Sequence, residues 1–434
     1  MSGVKVSKSS ESVHYIYCNL NGISGPFFLI GDCHGCGDEL IALLVKLGFY
    51  VDGLGRIWVR EGSKSSGSTL VFLGDYCDRG PKTAQVLHIL LRAWADGPEV
   101  FPVLAKVPGG GVVGSLAGDN LKNCTEQAVD CEAVDVSNLA RKANTVEKYI
   151  SSSQGEEWSQ LGSAVGTATR QIVESSQYVQ KNLLLDRAGA YHFKASAEDP
   201  SWHELVENAK QQGGYSPLVV AHDCCGLEPS QLGNNFLPEV TSEFRRVPIL
   251  AIRGNHEYRL ERAMQGHKVQ GLFSGMAASI LSLRAAWQGR YHFIGREPVD
   301  EYPFTYEDLG AFIACLPHYL SLDGGRLVAT HGGLAERLQG TDGKEAARFC
   351  LFGDAEGRLD ANGFPIRRPW EKQYTGSALV IYGHTPVTEV YRCNNTVNID
   401  TGCVFGGSLT AISYPKLEAV QERSRYAYSL RYVL

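Results

Sequence analysis

The feature that most constrains the fold is a series of six short apolar runs, each followed at once by a cluster of Gly, Asp, His or Asn. The clusters are GDCHG, GDYCDRG, RGNHE, HGG, GHTP and DTG, and the runs before them cover residues 27–30, 69–73, 248–252, 327–330, 379–382 and 397–399. Such runs predict β-strands, and the helical patterns that follow most of them predict an α/β fold. Ligands of open α/β sheets lie beyond the carboxyl ends of the strands. We therefore expect the six clusters to form one shared site.

Two helices can be predicted next to these strands. Leu40, Leu43, Leu44 and Leu47 recur on one helical face after the first cluster, and we interpret them as core residues. Pro81 follows the second cluster, so we expect it at the first position of the next helix.

The stretch 97–246 contains none of these clusters and separates two of the strands, so we interpret it as an insertion. Apolar residues at helical spacing and a Ser201–Glu204 capping box predict two or three amphipathic helices there. Its HDCC sequence at 222–225 is interpreted as a polar loop. The predicted organisation is an N-terminal extension, 1–24, and a main domain, 25–434, interrupted by the mainly helical insertion.

Composition excludes several classes of protein. The 434 residues carry a formal net charge of -6, which predicts no global attraction to nucleic acid. No apolar run approaches the roughly 18 residues that span a bilayer, and the first residues lack a signal-peptide core. We therefore expect a cytoplasmic protein without a membrane partner. The 12 cysteines are expected to be reduced thiols, including the Cys33–Cys36 pair around His34.

The clusters supply a set of metal-ligand side chains. Asp32 and His34 stand two apart at a strand end, where both can face one cation. The two oxygens of Asp75 could bridge a pair of cations roughly 3.5–4 Å apart. Each residue alone could be an ordinary turn or core residue, but five such motifs at predicted strand ends favour a metal site. The remaining members of this nitrogen and oxygen set are Asn255, His331 and His384.

In this order, the motifs GDCHG, GDYCDRG, RGNHE, HGG and GH resemble the phosphoprotein-phosphatase branch of the calcineurin-like metallophosphoesterases. The resemblance covers about residues 27–415 apart from the insertion. It implies a calcineurin-like β-sandwich flanked by helices, in four αββα layers. It also implies two divalent metal ions, with Mn expected first and Fe, Zn, Ni or Co as alternatives. Asp32, His34 and Asp75 would hold one ion, and the other would be held by Asp75, Asn255, His331 and His384.

Catalytic roles follow from this resemblance and from the charges. Hydrolysis by a metal-activated water needs a proton donor for the leaving oxygen, and we predict that His256 is this acid, oriented by Asp78. The planar guanidinium of Arg79 is expected to bind the phosphate. Further candidates for phosphate binding, each explained equally well by a surface salt bridge, are Arg253, Arg367 and Arg368.

The last third of the sequence narrows the resemblance. CLFGD, GFPIRRPW, VIYGHTPV and NIDTGCVFGGSLT are similar to bacterial asymmetrical bis(5'-nucleosyl)-tetraphosphatases and to the phosphatase module of polynucleotide kinase-phosphatase. The resemblance implies a hydrolase of nucleotidyl phosphates such as diadenosine tetraphosphate. The alternatives are a serine/threonine protein phosphatase acting on a phosphoprotein, and a non-catalytic binding protein on the same scaffold. The insertion would offer a surface for a protein partner.

Overall fold

The computed structural model describes residues 17–97, 99–101, 183–185, 191–193, 236–237, 240–264, 275–287, 293, 303–341, 343–359 and 365–429. The helices are α1 (Gly37–Lys46), α2 (Thr83–Ala95), α3 (Asn255–Met264), α4 (Met276–Trp287), α5 (Tyr306–Cys315) and α6 (Lys344–Phe352). The first strands are β1 (Tyr17–Leu20), β2 (Phe27–Ile30), β3 (Phe49–Asp52), β4 (Ile57–Arg60), β5 (Thr69–Phe72), β6 (Leu183–Leu185), β7 (Tyr191–Phe193), β8 (Phe236–Leu237), β9 (Phe244–Arg246) and β10 (Ile249–Ala251). The later strands are β11 (Tyr319–Leu322), β12 (Leu327–Thr330), β13 (Ala355–Leu359), β14 (Pro365–Arg367), β15 (Leu379–Tyr382), β16 (Tyr391–Cys393), β17 (Thr396–Asn398), β18 (Ser408–Tyr414) and β19 (Ala419–Arg423).

Two large mixed sheets form the centre of the protein. One has the strand order β1-β11-β12-β15-β17-β16 and the other has the order β10-β5-β2-β18-β19. Strands β12, β15 and β17 run parallel in the first sheet, as do β2, β5 and β10 in the second. These six strands are the predicted ones, so the predicted α/β fold is confirmed. Each sheet contributes three strand ends to the site.

A shared hydrophobic core joins the two sheets. Phe72 of β5 and Ile381 of β15 are fully buried and belong to one cluster. The leucines predicted on one face of α1 belong to the same cluster, and this confirms their assignment to the core. Burying side chains of this size stabilises the fold by roughly 1.5–3 kcal/mol each.

Two local predictions differ from the structure. Helix α2 begins at Thr83, with Lys82 as its N-cap, so Pro81 lies in the preceding turn and not at the first helical position. The backbone N–H of Lys82 donates to the carbonyl of Gly35, which holds this turn against the first cluster. Strand β1 lies inside the predicted extension 1–24 and pairs in parallel with β11, so the sheet begins before the predicted boundary.

Most of the predicted insertion lies outside the described residues, including its predicted helices, the Ser201–Glu204 box and the 222–225 loop. Strands β8 and β9, near its end, pair with the β3–β4 hairpin to form a four-stranded sheet. This part of the stretch therefore belongs with the described domain. Within the described chain, no helix is long and apolar enough to cross a membrane. No disulfide links the cysteines of the described ranges.

Candidate metal centre

The carboxyl ends of the six parallel strands converge on a buried cluster of histidine, aspartate and asparagine side chains. Within the described ranges, two groups of three ligand atoms lie close enough to hold a metal ion: one from His34, Asp75 and His256, and one from Asp75, His331 and His384. Asp75 belongs to both groups and is 2% exposed. The predicted site at shared strand ends is therefore a compact cluster that could bind metal.

The two carboxylate oxygens of Asp75 point towards different groups. Asp75 Oδ2 lies 3.4 Å from His34 Nε2, and Asp75 Oδ1 lies 3.3 Å from His331 Nε2. Oδ1 also accepts a hydrogen bond from the backbone N–H of His256 at 3.0 Å. Burial alone would raise the pKa of Asp75, but the neighbouring imidazoles, first His331, outweigh burial and hold it well below its usual value.

His331 is the centre of the second group. Its Nε2 lies 3.0 Å from Asn255 Oδ1 and 3.1 Å from His384 Nδ1. Its other ring nitrogen lies 2.9 Å from the carbonyl oxygen of Leu73, which can fix the ring orientation. Burial alone would lower the pKa of His331, but the carboxylates of Asp75 and Asp32 raise it to about 9.

Asp32 connects the first strand cluster to the last. Its Oδ2 accepts a hydrogen bond of 3.0 Å from the backbone N–H of His384. Its Oδ1 is buried and has no hydrogen-bond partner. Burial, with the nearby Asp400 carboxylate as a second cause, raises the pKa of Asp32 well above its usual value. A buried carboxylate oxygen without a partner is costly, so this atom is suited to a cation.

His34 and His256 border the first group from two sides, with ring centroids 4.7 Å apart. His34 Nδ1 lies 3.0 Å from the carbonyl oxygen of Cys77, which leaves Nε2 facing Asp75. His256 Nδ1 lies 2.5 Å from Asp78 Oδ2, and this pair is almost fully buried. The predicted partnership of His256 and Asp78 is thus present as a direct contact.

Several of these residues have a backbone conformation that is strained for side chains other than glycine. The φ angles of His34, Asp75, Asp78, Arg79 and His384 are 42°, 52°, 73°, 72° and 70°. Each such residue costs roughly 1–3 kcal/mol, and it persists only where contacts with its surroundings offset that cost. Strain of this kind clusters at functional sites.

Glu257 holds the backbone of the GDYCDRG and RGNHE motifs in place, although its own motif did not indicate this role. Its carboxylate accepts hydrogen bonds from the backbone N–H groups of Asp75 and Tyr76 at 2.8 Å and of Gly254 at 3.0 Å. Burial, with the Asp75 charge as a second cause, raises the pKa of Glu257 to about 7. Glu257 thereby joins the second and third clusters.

The four candidate arginines have very different surroundings. Arg79 Nη1 lies 2.6 Å from His34 Nε2, and Arg367 Nη2 lies 2.9 Å from His384 Nε2, so both reach the cluster. Arg253 is buried and donates to Glu261 and to the carbonyl oxygen of Ile313. Its contacts indicate a structural role.

Arg368 is the most exposed of the four, with a side chain 58% exposed. It lies 3.6 Å from Asp354 and 3.4 Å from Glu356. Its described contacts are therefore with surface carboxylates and not with the cluster.

No protein-family model matches the chain. It is 37% identical over 177 residues to the asymmetrical bis(5'-nucleosyl)-tetraphosphatase PrpE of a Geobacillus species, across 41% of this chain and 67% of that protein. It is 38% identical over 244 residues to the protein of the same name from Halalkalibacterium halodurans, across 56% of this chain and 87% of that protein. A solved structure of a candidate diadenosine tetraphosphatase aligns over 94% of this chain and 97% of that chain, at 12% identity and with a TM-score of 0.39.

These relatives confirm the predicted class, hydrolases of the phosphoprotein-phosphatase branch of the metallophosphoesterases. More narrowly, the chain belongs to the family of asymmetrical bis(5'-nucleosyl)-tetraphosphatases called PrpE.

Proposed function

We propose that the chain hydrolyses nucleotidyl polyphosphates such as diadenosine tetraphosphate, with the aid of two divalent cations. The single observation that carries this proposal is the position of Asp75, whose two oxygens face the His34 side and the His331 side at 3.4 and 3.3 Å. A carboxylate shared in this way is the group that a two-metal phosphatase needs to bridge its cations. We infer the substrate from the names of the relatives.

The residues present fit such a pair of cations. Asp32, His34 and Asp75 would hold one ion, and Asp75, Asn255, His331 and His384 would hold the other. The donors are imidazole nitrogens and carboxylate or amide oxygens without a thiolate, which suits Mn and also Fe, Zn, Ni or Co. The buried Asp32 Oδ1, which has no hydrogen-bond partner, supports the assignment of Asp32 as a ligand.

His256 could serve as the general acid or as a metal ligand, because its Nε2 lies 3.8 Å from Asp75 Oδ2 and could also face a cation. Asp78 holds His256 Nδ1, and Nε2 is then free to carry a proton towards the leaving oxygen. We assign His256 as the general acid and Asp32 as the ligand. Metal content of a His256 variant distinguishes the two roles.

The cations, when bound, would lower the pKa of a coordinated water and offset phosphoryl charge. The chain itself supplies the positioning groups. Arg79 and Arg367 approach the cluster from the His34 and His384 sides, so a phosphate between them would receive charge-assisted hydrogen bonds from both. His256 would protonate the leaving oxygen, and general acid catalysis of this kind contributes roughly 10²–10⁴-fold.

The proposal extends to the architecture. A calcineurin-like sandwich of four layers would place the two large sheets face to face with helices outside them. The common hydrophobic cluster of Phe72 and Ile381 supports this arrangement.

The test compares three substrates with the manganese-loaded full chain. Diadenosine tetraphosphate should be split asymmetrically into a nucleoside triphosphate and a nucleoside monophosphate, with a kcat/KM well above that for a phosphoserine peptide or a 2',3'-cyclic nucleotide. Asp75→Asn serves as the inactive baseline. A phosphopeptide preference would favour the alternative of a protein phosphatase, and no turnover of any substrate would favour a non-catalytic scaffold.

A further inference from the structure

The start of helix α4 packs against the GDYCDRG loop, although no sequence motif includes this helix. The backbone carbonyl of Gly275 accepts a hydrogen bond from Arg79 N–H at 2.9 Å. Ser279 Oγ accepts one from Asp78 N–H at 2.6 Å, and Ser282 Oγ accepts one from Ala84 N–H at 2.9 Å. The first two contacts fix the loop to α4, and the third fixes only the start of α2 to the same helix.

The contacted residues, Asp78 and Arg79, are consecutive and both have positive φ angles, 73° and 72°. Such a dipeptide persists only where its surroundings determine it. Gly275 allows the close approach, because a Cβ there would lie 2.6 Å from the backbone nitrogen of Arg79. The position of α4 thus determines the conformation of two residues that serve the site.

The hydroxyl of Ser279 uses its one proton and both of its lone pairs in hydrogen bonds. It donates to Asp78 Oδ1 at 2.8 Å and accepts from Asp78 N–H, so Thr83 Oγ1 at 3.2 Å acts as a second donor. Ser279 and Asp78 are both 0% exposed. The two oxygens of the Asp78 carboxylate are divided between two partners, Ser279 on Oδ1 and His256 on Oδ2.

We propose that Ser279 is a positioning residue for the Asp78–His256 pair. By fixing one carboxylate oxygen and the backbone of Asp78, it directs the other oxygen to His256 Nδ1 and keeps His256 Nε2 facing the leaving group. The proposal rests on the proposed acid role of His256. Outer partners of this kind typically change activity by roughly 10–100-fold when removed.

The experiment uses the metal-loaded full chain and two aryl phosphates that differ in their leaving group. Ser279→Ala should lower kcat for phenyl phosphate by about 10–100-fold and kcat for p-nitrophenyl phosphate much less, because a good leaving group needs little acid. KM and metal content should stay near the parent values. Ser282→Ala is the matched control: it removes a hydroxyl one turn away on the same helix, and both rates should change less than about threefold.

A second pair of variants separates the hydroxyl from packing. Ser279→Thr and Ser279→Val add nearly the same volume, but only threonine keeps the hydroxyl. Threonine should restore the rate with phenyl phosphate relative to valine. Equal rates for the two variants, or equal losses with both leaving groups, would overturn the proposal even if Ser279→Ala fails to fold.

His256→Ala tests the acid role of His256 separately from the positioning role of Ser279. If this variant loses activity selectively with phenyl phosphate and the Ser279 variants do not, the positioning role is refuted and the acid role stands. If His256→Ala shows no such selectivity, both are refuted. If both assignments hold, adding Ser279→Ala to His256→Ala should cause little further loss, because the two residues act through one path.

Discussion

Arg367 and Arg368 are neighbours in sequence but have different surroundings, and this difference predicts opposite outcomes for two matched substitutions. Arg367 Nη2 lies 2.9 Å from His384 Nε2, and its Nε donates to the carbonyl oxygen of Phe352 at 3.1 Å. The guanidinium is therefore held at the edge of the cluster. The Arg368 side chain is 58% exposed and lies near two surface carboxylates.

The expected magnitudes follow from these surroundings. A hydrogen bond to a charged group contributes about 1.5–3 kcal/mol, so Arg367→Ala should lower kcat/KM for diadenosine tetraphosphate by roughly 10–150-fold. An exposed ion pair contributes about 0–1 kcal/mol, so Arg368→Ala should change it by less than about fivefold. Arg367→Lys should recover only part of the loss, because an ammonium lacks the planar fork.

The assay is steady-state hydrolysis by the two alanine variants and the parent, with metal content measured for each because Arg367 contacts a proposed ligand. The same loss for both variants, or a larger loss for Arg368→Ala, would refute the assignment. A loss in Arg367→Ala that is accompanied by loss of metal would indicate a structural effect on His384 instead.

Three further predictions concern catalysis, pH and the insertion. His256→Ala should keep the metal content of the parent and lower kcat by roughly 10²–10⁴, and a loss of one metal would instead make His256 a ligand. Burial lowers the pKa of His88 from 6.5 to about 4, so the folded state takes up this proton later than the unfolded state as pH falls. The free energy of unfolding should therefore decrease from pH 6.5 to 4, by at most about 1.4 kcal/mol per pH unit from this residue, and urea titrations of His88→Gln should show a flatter dependence. We propose that the insertion is a helical subdomain that binds a partner away from the metals. Replacing residues 102–235, the part of the insertion before β8, by a Gly/Ser linker should then leave kcat/KM within about tenfold. A loss of thousands-fold in a folded, metal-loaded variant would mean that the insertion reaches the site.

The strands and the residues of the site could be predicted because both depend on short-range patterns. Runs such as Phe27–Ile30 and Leu327–Thr330 are apolar, short and ended by polar clusters, and their strands have the predicted bounds. Because each motif directly follows one of these strands, the candidate ligands could be placed at common strand ends. Lys82 shows the limit of such patterns: it is the N-cap of α2, one residue after Pro81, and its backbone N–H donates to the distant Gly35.

The remaining features depend on contacts between distant parts of the chain. Ser279 is 201 residues from Asp78 in sequence, and nothing in the residues around it marks it as a partner. Arg367 and Arg368 are chemically identical, so only their positions relative to His384 distinguish them. Strand β1 is recognisable only through its pairing with β11.

The shared role of Asp75 can be tested by the metal stoichiometry of the parent and of Asp75→Asn, measured together with hydrolysis of diadenosine tetraphosphate. Asp75 is the residue whose oxygens face both groups, so we expect about two cations per chain in the parent. In Asp75→Asn, bound metal and activity should be lost together. A variant that retained two cations per chain and full activity would show that Asp75 is not needed by either cation.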